Sequence, residues 1–273
     1  MTTRGALHEA RIATLLRAGF RTWDEWGARS DAAHGVETLL RQEAHRIACT
    51  VAMLEAAPRR LLEIGTGYLT LAETLRHAFP QATIAGVEHP GRAYVFAPTY
   101  RKALEAARIV FATTDLVVDG LPFRARTFDA VVFAEVIEHL PPSAVPDVLA
   151  EIGRVLMDDG VLVLTTPNLT SWTNRELVLR GHSPHQSPLR AIDGTYAHLR
   201  LYTMAELTEL CEAVGFRVTR RAFVDQVAAG ISPLRRGLRA VLAPARGAWP
   251  ALRDTCMVQA VRAGRGGGGP CPP

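Results

Sequence analysis

Long apolar runs and paired cysteines are what this sequence lacks most clearly. No stretch of about 18 apolar residues occurs, so no transmembrane segment is expected, and the N-terminus has no long apolar run typical of a secretory signal. None of the four cysteines, Cys49, Cys211, Cys256 and Cys271, forms a CxxC pair, which argues against a zinc ribbon and a redox dithiol. Scattered cysteines without a signal peptide are typical of a reducing compartment, so we expect a cytoplasmic protein.

A strong excess of one charge is also missing. The formal net charge is +4 over 273 residues, and aromatic residues, which stack on nucleotide bases, make up only 7% of the chain. These values do not indicate nucleic-acid binding. A hydrophobic content of 48% suits a globular enzyme, and the length suits one catalytic domain with additions.

The N-terminal part of the sequence predicts a helical cap. From Val36 to Ala57, apolar residues recur three or four positions apart, which places them on one helical face. These residues are Leu40, Ala44, Ile47, Val51 and Leu54. Pro58 is expected to stop this helix, and a weaker helical pattern covers about residues 6–20. We assign residues 1–58 to the cap.

From residue 60 onward, short apolar runs alternate with helical stretches, among them Ser143–Leu156 and Met204–Val214. Alternation of this kind predicts βαβ units and a parallel sheet with helices on both faces. We assign residues 59–262 to this α/β domain and expect a disordered Gly/Pro-rich tail over 263–273. The expected strands are Arg60–Ile64, Thr83–Glu88, Ile109–Ala112, Phe128–Ala134, Val161–Thr165, Phe216–Val224 and Asp254–Val261.

A basic amphipathic segment precedes the last expected strand. Ser232-Pro233 is typical of a helix start, and Leu234–Leu242 carries an apolar face with arginines mostly off it. A surface helix packed on the domain, a lid and a contact with an anionic surface are all compatible with this pattern.

The carboxyl ends of parallel strands are where ligands bind in such a sheet. The first strand ends in Glu63-Ile64-Gly65-Thr66-Gly67. The two glycines permit a tight turn and a close approach of a ligand to the backbone. The third glycine of a GxGxxG dinucleotide site is absent, because Thr70 occupies its position. Taken alone, the loop fits a structural strand–helix turn as well as a nucleotide site.

Acidic residues follow at the ends of the next two strands. Glu88 ends the second strand about twenty residues beyond the glycine loop, where a carboxylate can accept hydrogen bonds from both ribose hydroxyls. Asp115 follows the third strand and is placed to accept a hydrogen bond from an adenine amino group. The pattern therefore predicts a nucleoside-containing ligand.

Five segments, in order along the chain, resemble the motifs of class I methyltransferases that depend on S-adenosylmethionine (SAM). They are LLEIGTG, GVEHP, TTDLVVDGLPF, FDAVVFAEVIEHL and VLVLTTPN. The resemblance spans roughly residues 60–168, resumes at 198–218, and is closest to the small-molecule type. It implies SAM as cofactor and a doubly wound, seven-stranded, mostly parallel sheet in the order 3-2-1-4-5-7-6. Leu69 stands where many members have a small residue.

The resemblance also implies roles for the matching residues. Glu63 holds the loop and the methionine ammonium, Glu88 binds the ribose, and Asp115 with the Leu116 backbone contacts adenine. Ala134 and Glu135 line the methyl-donor side. The full set of expected cofactor-binding residues is Glu63, Gly65, Thr66, Gly67, Glu88, Asp115, Leu116, Ala134 and Glu135.

A cluster of ionisable residues after the fourth strand is the candidate catalytic apparatus. A hydroxyl acceptor needs a general base or a metal ion, and on a helical turn Glu135 would project beside Glu138 and His139. With His198 these residues could bind a divalent metal ion, an arrangement that resembles the metal site of small-RNA 2′-O-methyltransferases. In the metal-free alternative, Glu138 and His139 bond to nearby loops and His198 is a buried, hydrogen-bonded residue. The catalytic candidates are His139, Glu135 and His198.

The segment Asn168–Ala197 should shape the acceptor pocket, since it follows the fifth strand at the same edge of the sheet. Its polar residues favour a hydroxylated or sugar-like acceptor. They are Asn174, Arg175, His182, His185, Asp193 and Tyr196.

Three functions are therefore open. The first is methyl transfer to a hydroxyl, or next an amine, of a small polar metabolite, sugar or natural-product intermediate. The second is metal-dependent 2′-O-methylation of RNA, and the third is an inactive methyltransferase-like scaffold. The oligomeric state is unassigned, with a homodimer as one option.

Overall fold

The computed structural model describes residues 36–185, 198–225 and 247–263, together with Ile12 and Thr14. A seven-stranded sheet in the order β3-β2-β1-β4-β5-β7-β6 forms its centre. Strand β7 is antiparallel to both of its neighbours, and the other pairs are parallel. The predicted α/β class and strand order are confirmed. The strands are β1 (Arg60–Ile64), β2 (Thr83–Glu88), β3 (Ile109–Thr113), β4 (Phe128–Ala134), β5 (Leu156–Pro167), β6 (Phe216–Val224) and β7 (Thr255–Arg262).

The central strands are apolar on both sides because helices cover both faces of the sheet. In β4, every residue from Ala130 to Ala134 is buried. The helices are α1 (Val36–Ala52), α2 (Thr70–Ala78), α3 (Pro98–Ala106), α4 (Val145–Val155), α5 (Trp172–Leu179) and α6 (Met204–Ala213).

Two apolar cores flank the sheet. One joins α1, α2 and α3 to one face, with Ile47 and Leu75 among its fully buried members. The other joins α4 and α6 to the opposite face, around Leu149 and Leu207. Helix α1 thus shares a core with the sheet, while the division of the chain at residue 58 stays a prediction.

Some predicted boundaries were wrong. Helix α1 ends at Ala52, not at Ala57, because Met53 and Leu54 leave the helix and pack into the core. Strand β5 begins at Leu156, which pairs with Phe128 before the register shifts. A periodic apolar pattern cannot mark these ends, because the buried residues continue beyond the regular element.

Several further features complete the description of these residues. No described helix is both long enough and apolar enough to cross a membrane. Cys49, Cys211 and Cys256 are free thiols. The predicted basic helix at Leu234–Leu242 and the predicted tail beyond Ala263 lie outside the described residues.

The buried side chain of Gln259 connects the end of the cap to the sheet. Its Nε2 donates to the Met53 carbonyl oxygen at 2.7 Å, and its Oε1 accepts from Thr219 Oγ1 at 2.8 Å. We expect Gln259→Met to lower the free energy of unfolding by about 1–3 kcal/mol, because a buried carbonyl loses its donor. Urea unfolding measures the change. Thr219→Val is the control and should cost less, and a Gln259→Met protein as stable as this control would contradict the assignment.

Candidate cofactor site and active site

Three acidic side chains lie at one edge of the sheet. Strand β1 pairs with β2 on one side and β4 on the other, all parallel. Their carboxyl ends therefore bring Glu63, Glu88 and Glu135 to the same edge. We call this edge the donor end.

The glycine loop after β1 has a backbone that suits glycine. Gly65 and Gly67 have φ values of 79° and 48°, in the left-handed region that other residues rarely adopt. A Cβ at Gly65 would lie 2.4 Å from Val136 Cγ2. Leu69, the departure from the family pattern, is also left-handed (φ 64°) and precedes the first turn of α2. At Gly67, in contrast, no protein atom lies within 4 Å of a Cβ built on the backbone, so the loop leaves space for a ligand there.

Glu88 is held in place by its neighbours. Its Oε2 accepts from the Gly67 amide at 2.8 Å and from the Tyr94 hydroxyl at 3.2 Å, and its Oε1 accepts from the His89 amide at 2.8 Å. The carboxylate at the end of β2 is therefore bonded directly to the glycine loop.

A tyrosine cluster that the sequence reasoning missed supports this loop. Tyr100 OH donates to the Gly67 carbonyl oxygen at 3.2 Å and lies 2.8 Å from Thr66 Oγ1. The Tyr94 ring packs between Tyr68 and Tyr100, with centroids 5.4 Å from each. Thr66, predicted to bind cofactor, has its side chain buried in this packing. Three tyrosines at positions 68, 94 and 100 show no regular spacing that could have revealed the cluster.

Glu63 is buried and incompletely bonded. Its Oε2 has no hydrogen-bond partner. Burial raises the pKa of Glu63 well above its usual range, the negative charge of Glu88 raises it further, and Arg46 partly opposes the shift. A buried carboxylate with an open oxygen suits a cationic ligand group.

Asp115, which follows β3, is partly engaged with its own loop. Its Oδ1 accepts from the Val117 amide at 2.9 Å, and its Oδ2 lies 3.3 Å from His89 Nε2. Burial opposes the charged form, but these hydrogen bonds outweigh it and lower the pKa of Asp115. Leu116 packs, half-buried, against the core on the α4 face. Both residues lie beyond the end of β3, next to β2.

Glu135 does not begin a helical turn, so this part of the prediction is wrong. Its φ is 57° and its amide donates to the Thr165 carbonyl oxygen at 2.9 Å. Its Oε1 accepts from Thr165 Oγ1 at 2.9 Å and lies 3.9 Å from an Arg46 nitrogen. Burial raises the pKa of Glu135, and Arg46 and Thr165 partly offset that effect. Ala134, just before it, is buried.

Glu138, His139 and His198 come together as predicted, but without Glu135. One ligand atom from each of the three lies within 4.8 Å of the others. The Leu199 and Arg200 amides donate to the Glu138 carbonyl oxygen at 2.7 and 3.2 Å and so hold His198 beside it. We call these three residues the Glu/His/His group.

Glu138 has one oxygen available in this group. The side chain is fully buried; Oε2 accepts from Thr166 Oγ1 at 2.9 Å, and Oε1 has no hydrogen-bond partner. Burial raises the pKa of Glu138 well above its usual range, and the nearby Glu135 adds to the shift. Burial lowers the pKa of His198. A carboxylate oxygen and two imidazoles suit a divalent transition metal ion such as Zn²⁺.

Arg46, on α1, is the functional candidate that the sequence reasoning overlooked. Its side chain is 13% exposed and forms an ion pair with Glu43 on the same helix. Burial alone would lower the pKa of Arg46, but Glu43 and Glu135 outweigh it and raise the pKa. The predicted apolar face of α1 omits position 46, so no periodic signal indicated that this arginine points inward.

The polar segment after β5 is used partly for internal bonding. Asn168 Nδ2 donates to the Ala251 and Arg253 carbonyl oxygens, and Asn174 Nδ2 donates to the Asn168 carbonyl oxygen at 2.8 Å. Arg175 Nε donates to the Thr170 carbonyl oxygen at 2.9 Å. His182 and His185 are exposed, and Asp193 and Tyr196 lie outside the described residues. Lining of the acceptor pocket by this segment stays a prediction.

The strand order and the glycine loop define a Rossmann-like class I SAM-dependent methyltransferase. The family profile described as a methyltransferase domain matches residues 32–221, and the chain belongs to this family. No curated protein sequence matches it.

Solved structures similar to this chain share its fold. The complex of the Haloferax volcanii Trm112 methyltransferase activator with a putative methyltransferase matches with a TM-score of 0.61 and 15% identity over 92% of this chain and 99% of that chain. A putative sarcosine dimethylglycine methyltransferase from Galdieria sulphuraria matches at 0.54 and 14%, over 91% and 98%. The pyocyanin biosynthetic protein PhzM matches at 0.54 and 19% over 88% of this chain, which spans 61% of that protein's length.

Replacement of Gly67 tests whether the loop contacts the cofactor. We expect Gly67→Ala to raise the dissociation constant (Kd) of S-adenosylhomocysteine (SAH) roughly tenfold or more, since a methyl group that crowds the ligand costs about 1–3 kcal/mol. The control is Gly215→Ala, because Gly215 is also left-handed (φ 86°) and, like Gly67, has no protein atom within 4 Å of an added Cβ. Calorimetric titration gives both constants, and equal affinities in the two variants would contradict a cofactor role for the loop.

Proposed function

We propose that this chain transfers a methyl group from SAM to a hydroxyl of a small polar metabolite, sugar or natural-product intermediate, with an amine as the next choice. The observation that supports it is the Glu/His/His group just beyond the end of β4, beside the donor end. A hydroxyl must lose a proton during transfer, and an imidazole is the side chain best suited to accept it near neutral pH.

The cofactor in this proposal lies along the carboxyl ends of β1, β2, β3 and β4. The open Oε2 of Glu63 suits the ammonium group of SAM, and the backbones of Gly65 and Gly67 face the amino-acid part. In the same proposal Glu88 binds the ribose, and Asp115 and Leu116 contact adenine. Ala134 and Glu135 line the side from which the methyl group is transferred.

The reaction is an in-line displacement. The bond between the acceptor oxygen and the methyl carbon forms while the carbon–sulfur bond breaks, and its electron pair stays on sulfur. The hydroxyl proton passes to an imidazole. His198 suits this role because its lowered pKa keeps the ring neutral near pH 7. His139 and Glu135 are the other candidates.

The descriptions of two similar proteins support a small-molecule acceptor and not RNA. PhzM is described as a pyocyanin biosynthetic protein, and the Galdieria relative as a sarcosine dimethylglycine methyltransferase. Both descriptions concern small molecules, and the second keeps N-methylation open. The low aromatic content of the chain also offers few platforms for stacking bases. The proposal includes the cytoplasmic location expected from the cysteines.

Methyl transfer to matched acceptors tests this proposal. We expect the wild type to bind SAH and to transfer labelled methyl to hydroxylated acceptors in a panel that includes the corresponding amines. His198→Asn should reduce turnover about 10²- to 10⁴-fold, the usual contribution of a general base, with little change in the Kd of SAH. His77→Asn, an exposed histidine on α2, is the control. A wild-type protein that binds no SAH would favour the inactive scaffold.

A divalent metal ion in the Glu/His/His group is the second candidate. The open Oε1 of Glu138 is the observation that favours it. A bound ion would act as a Lewis acid that lowers the pKa of the acceptor hydroxyl. Glu135, the fourth ligand predicted from the sequence, bonds instead to Thr165 and faces Arg46.

Metal removal distinguishes catalysis by a histidine general base from catalysis by a bound metal ion. If an ion is required, exhaustive chelation should abolish turnover while SAH still binds, and Glu138→Gln should lose bound metal by elemental analysis. Full activity after chelation would contradict a requirement for a metal ion. Transfer to short RNA but to no small acceptor, with an RNA affinity that falls as salt rises, would favour the RNA alternative.

A further inference from the structure

Helix α1 places one cation among the carboxylates of the donor end. Arg46 lies 3.9 Å from Glu135 Oε1, and its side chain is 13% exposed. Its positive charge favours the ionised carboxylates of Glu63, Glu135 and Glu138 and so opposes the rise of their pKa values. The guanidinium therefore lies inside the site and not on the outer surface of the cap.

Glu63 and Arg46 carry opposite charges, so together they suit the ammonium and carboxylate groups of an amino acid. Glu63 keeps one buried oxygen without a partner. Arg46 is a planar donor that can bind a carboxylate through two parallel hydrogen bonds. The methionine part of SAM is a zwitterion, so it carries one group for each of them.

Glu135 does not depend on Arg46 alone. Its Oε1 accepts from Thr165 Oγ1 and its amide donates to the Thr165 carbonyl oxygen. The ion pair with Arg46 is long, at 3.9 Å, beyond hydrogen-bonding distance. Arg46 can therefore bind a ligand carboxylate through its remaining N–H groups without leaving Glu135 unbonded, while one nitrogen stays paired with Glu43.

We propose that Arg46 binds the carboxylate of the SAM methionine part while Glu63 accepts its ammonium group, so that α1 closes the cofactor site. This inference rests on the proposed cofactor site at the donor end. It also couples the cap to the cofactor, since α1 gains a charge-assisted contact when the amino-acid part is bound.

Two ligands that differ only in the amino-acid part test the inference. SAH carries both charged groups, whereas 5′-methylthioadenosine has the nucleoside and sulfur without them. We expect Arg46→Met to raise the Kd of SAH roughly 10- to 100-fold, as for a lost hydrogen bond between charged groups. The Kd of 5′-methylthioadenosine should change by less than about threefold. Arg46→Lys should fall between the wild type and Arg46→Met, because it keeps the charge but not the planar donor.

Arg262→Met is the matched control. Arg262 also pairs with a carboxylate, Asp158, but lies at the opposite edge of the sheet, where its Nη1 donates to the Leu156 carbonyl oxygen at the start of β5. This variant should leave both affinities unchanged. Hydrogen exchange gives a second readout in the wild type, in which SAH should slow exchange in α1 and 5′-methylthioadenosine should not.

Three results would overturn the inference. If the Arg46→Met and Arg46→Lys proteins bind SAH as tightly as the wild type, Arg46 does not bind the ligand carboxylate. An equal loss of affinity for both ligands would make Arg46 a structural residue only. A wild type that binds neither ligand would overturn the cofactor site itself, whereas the first two results leave that site intact.

Discussion

Burial of several carboxylates in one small volume is the constraint on which the donor end depends. Parallel strands bring Glu63 and Glu135 to the same edge, and Glu138 follows a few residues later. Burial away from water disfavours the charged forms, which is the main reason why the pKa values of all three are raised, and neighbouring carboxylates add to the shift. Arg46 offsets part of this charge. A cationic ligand would offset more, and SAM carries positive charge at both its ammonium and its sulfonium.

The surrounding packing keeps this charged site in one geometry. Glu88 is bonded to the glycine loop and to Tyr94, and Tyr100 holds the other side of Gly67. The loop therefore has little freedom before a ligand arrives, and less order has to be created on binding. Helix α1 shares an apolar core with the sheet and brings Arg46 to within 3.9 Å of Glu135.

The sequence was sufficient for the features that depend on local pattern. Strand order, the glycine loop and the placement of Glu88 follow from motifs in their expected order, and all three are present. It was insufficient where tertiary contacts decide. Arg46 lies off the apolar face of its helix yet is buried, because it is placed between Glu43 of its own helix and Glu135, which follows the distant strand β4. Glu135 was expected on a helical turn, but the hydrogen bonds to Thr165 hold it in a left-handed conformation. Helical spacing therefore grouped Glu135 with Glu138, whereas the fold sets it apart from the Glu/His/His group.

The central claim is that the donor end is a SAM site organised around Glu63 and Glu88. A crystal structure of the protein with SAH tests it most directly. We expect the SAH amino group within hydrogen-bonding distance of Glu63 and the ribose hydroxyls within hydrogen-bonding distance of Glu88. SAH bound elsewhere, or bound at the donor end with its amino group away from Glu63, would contradict it.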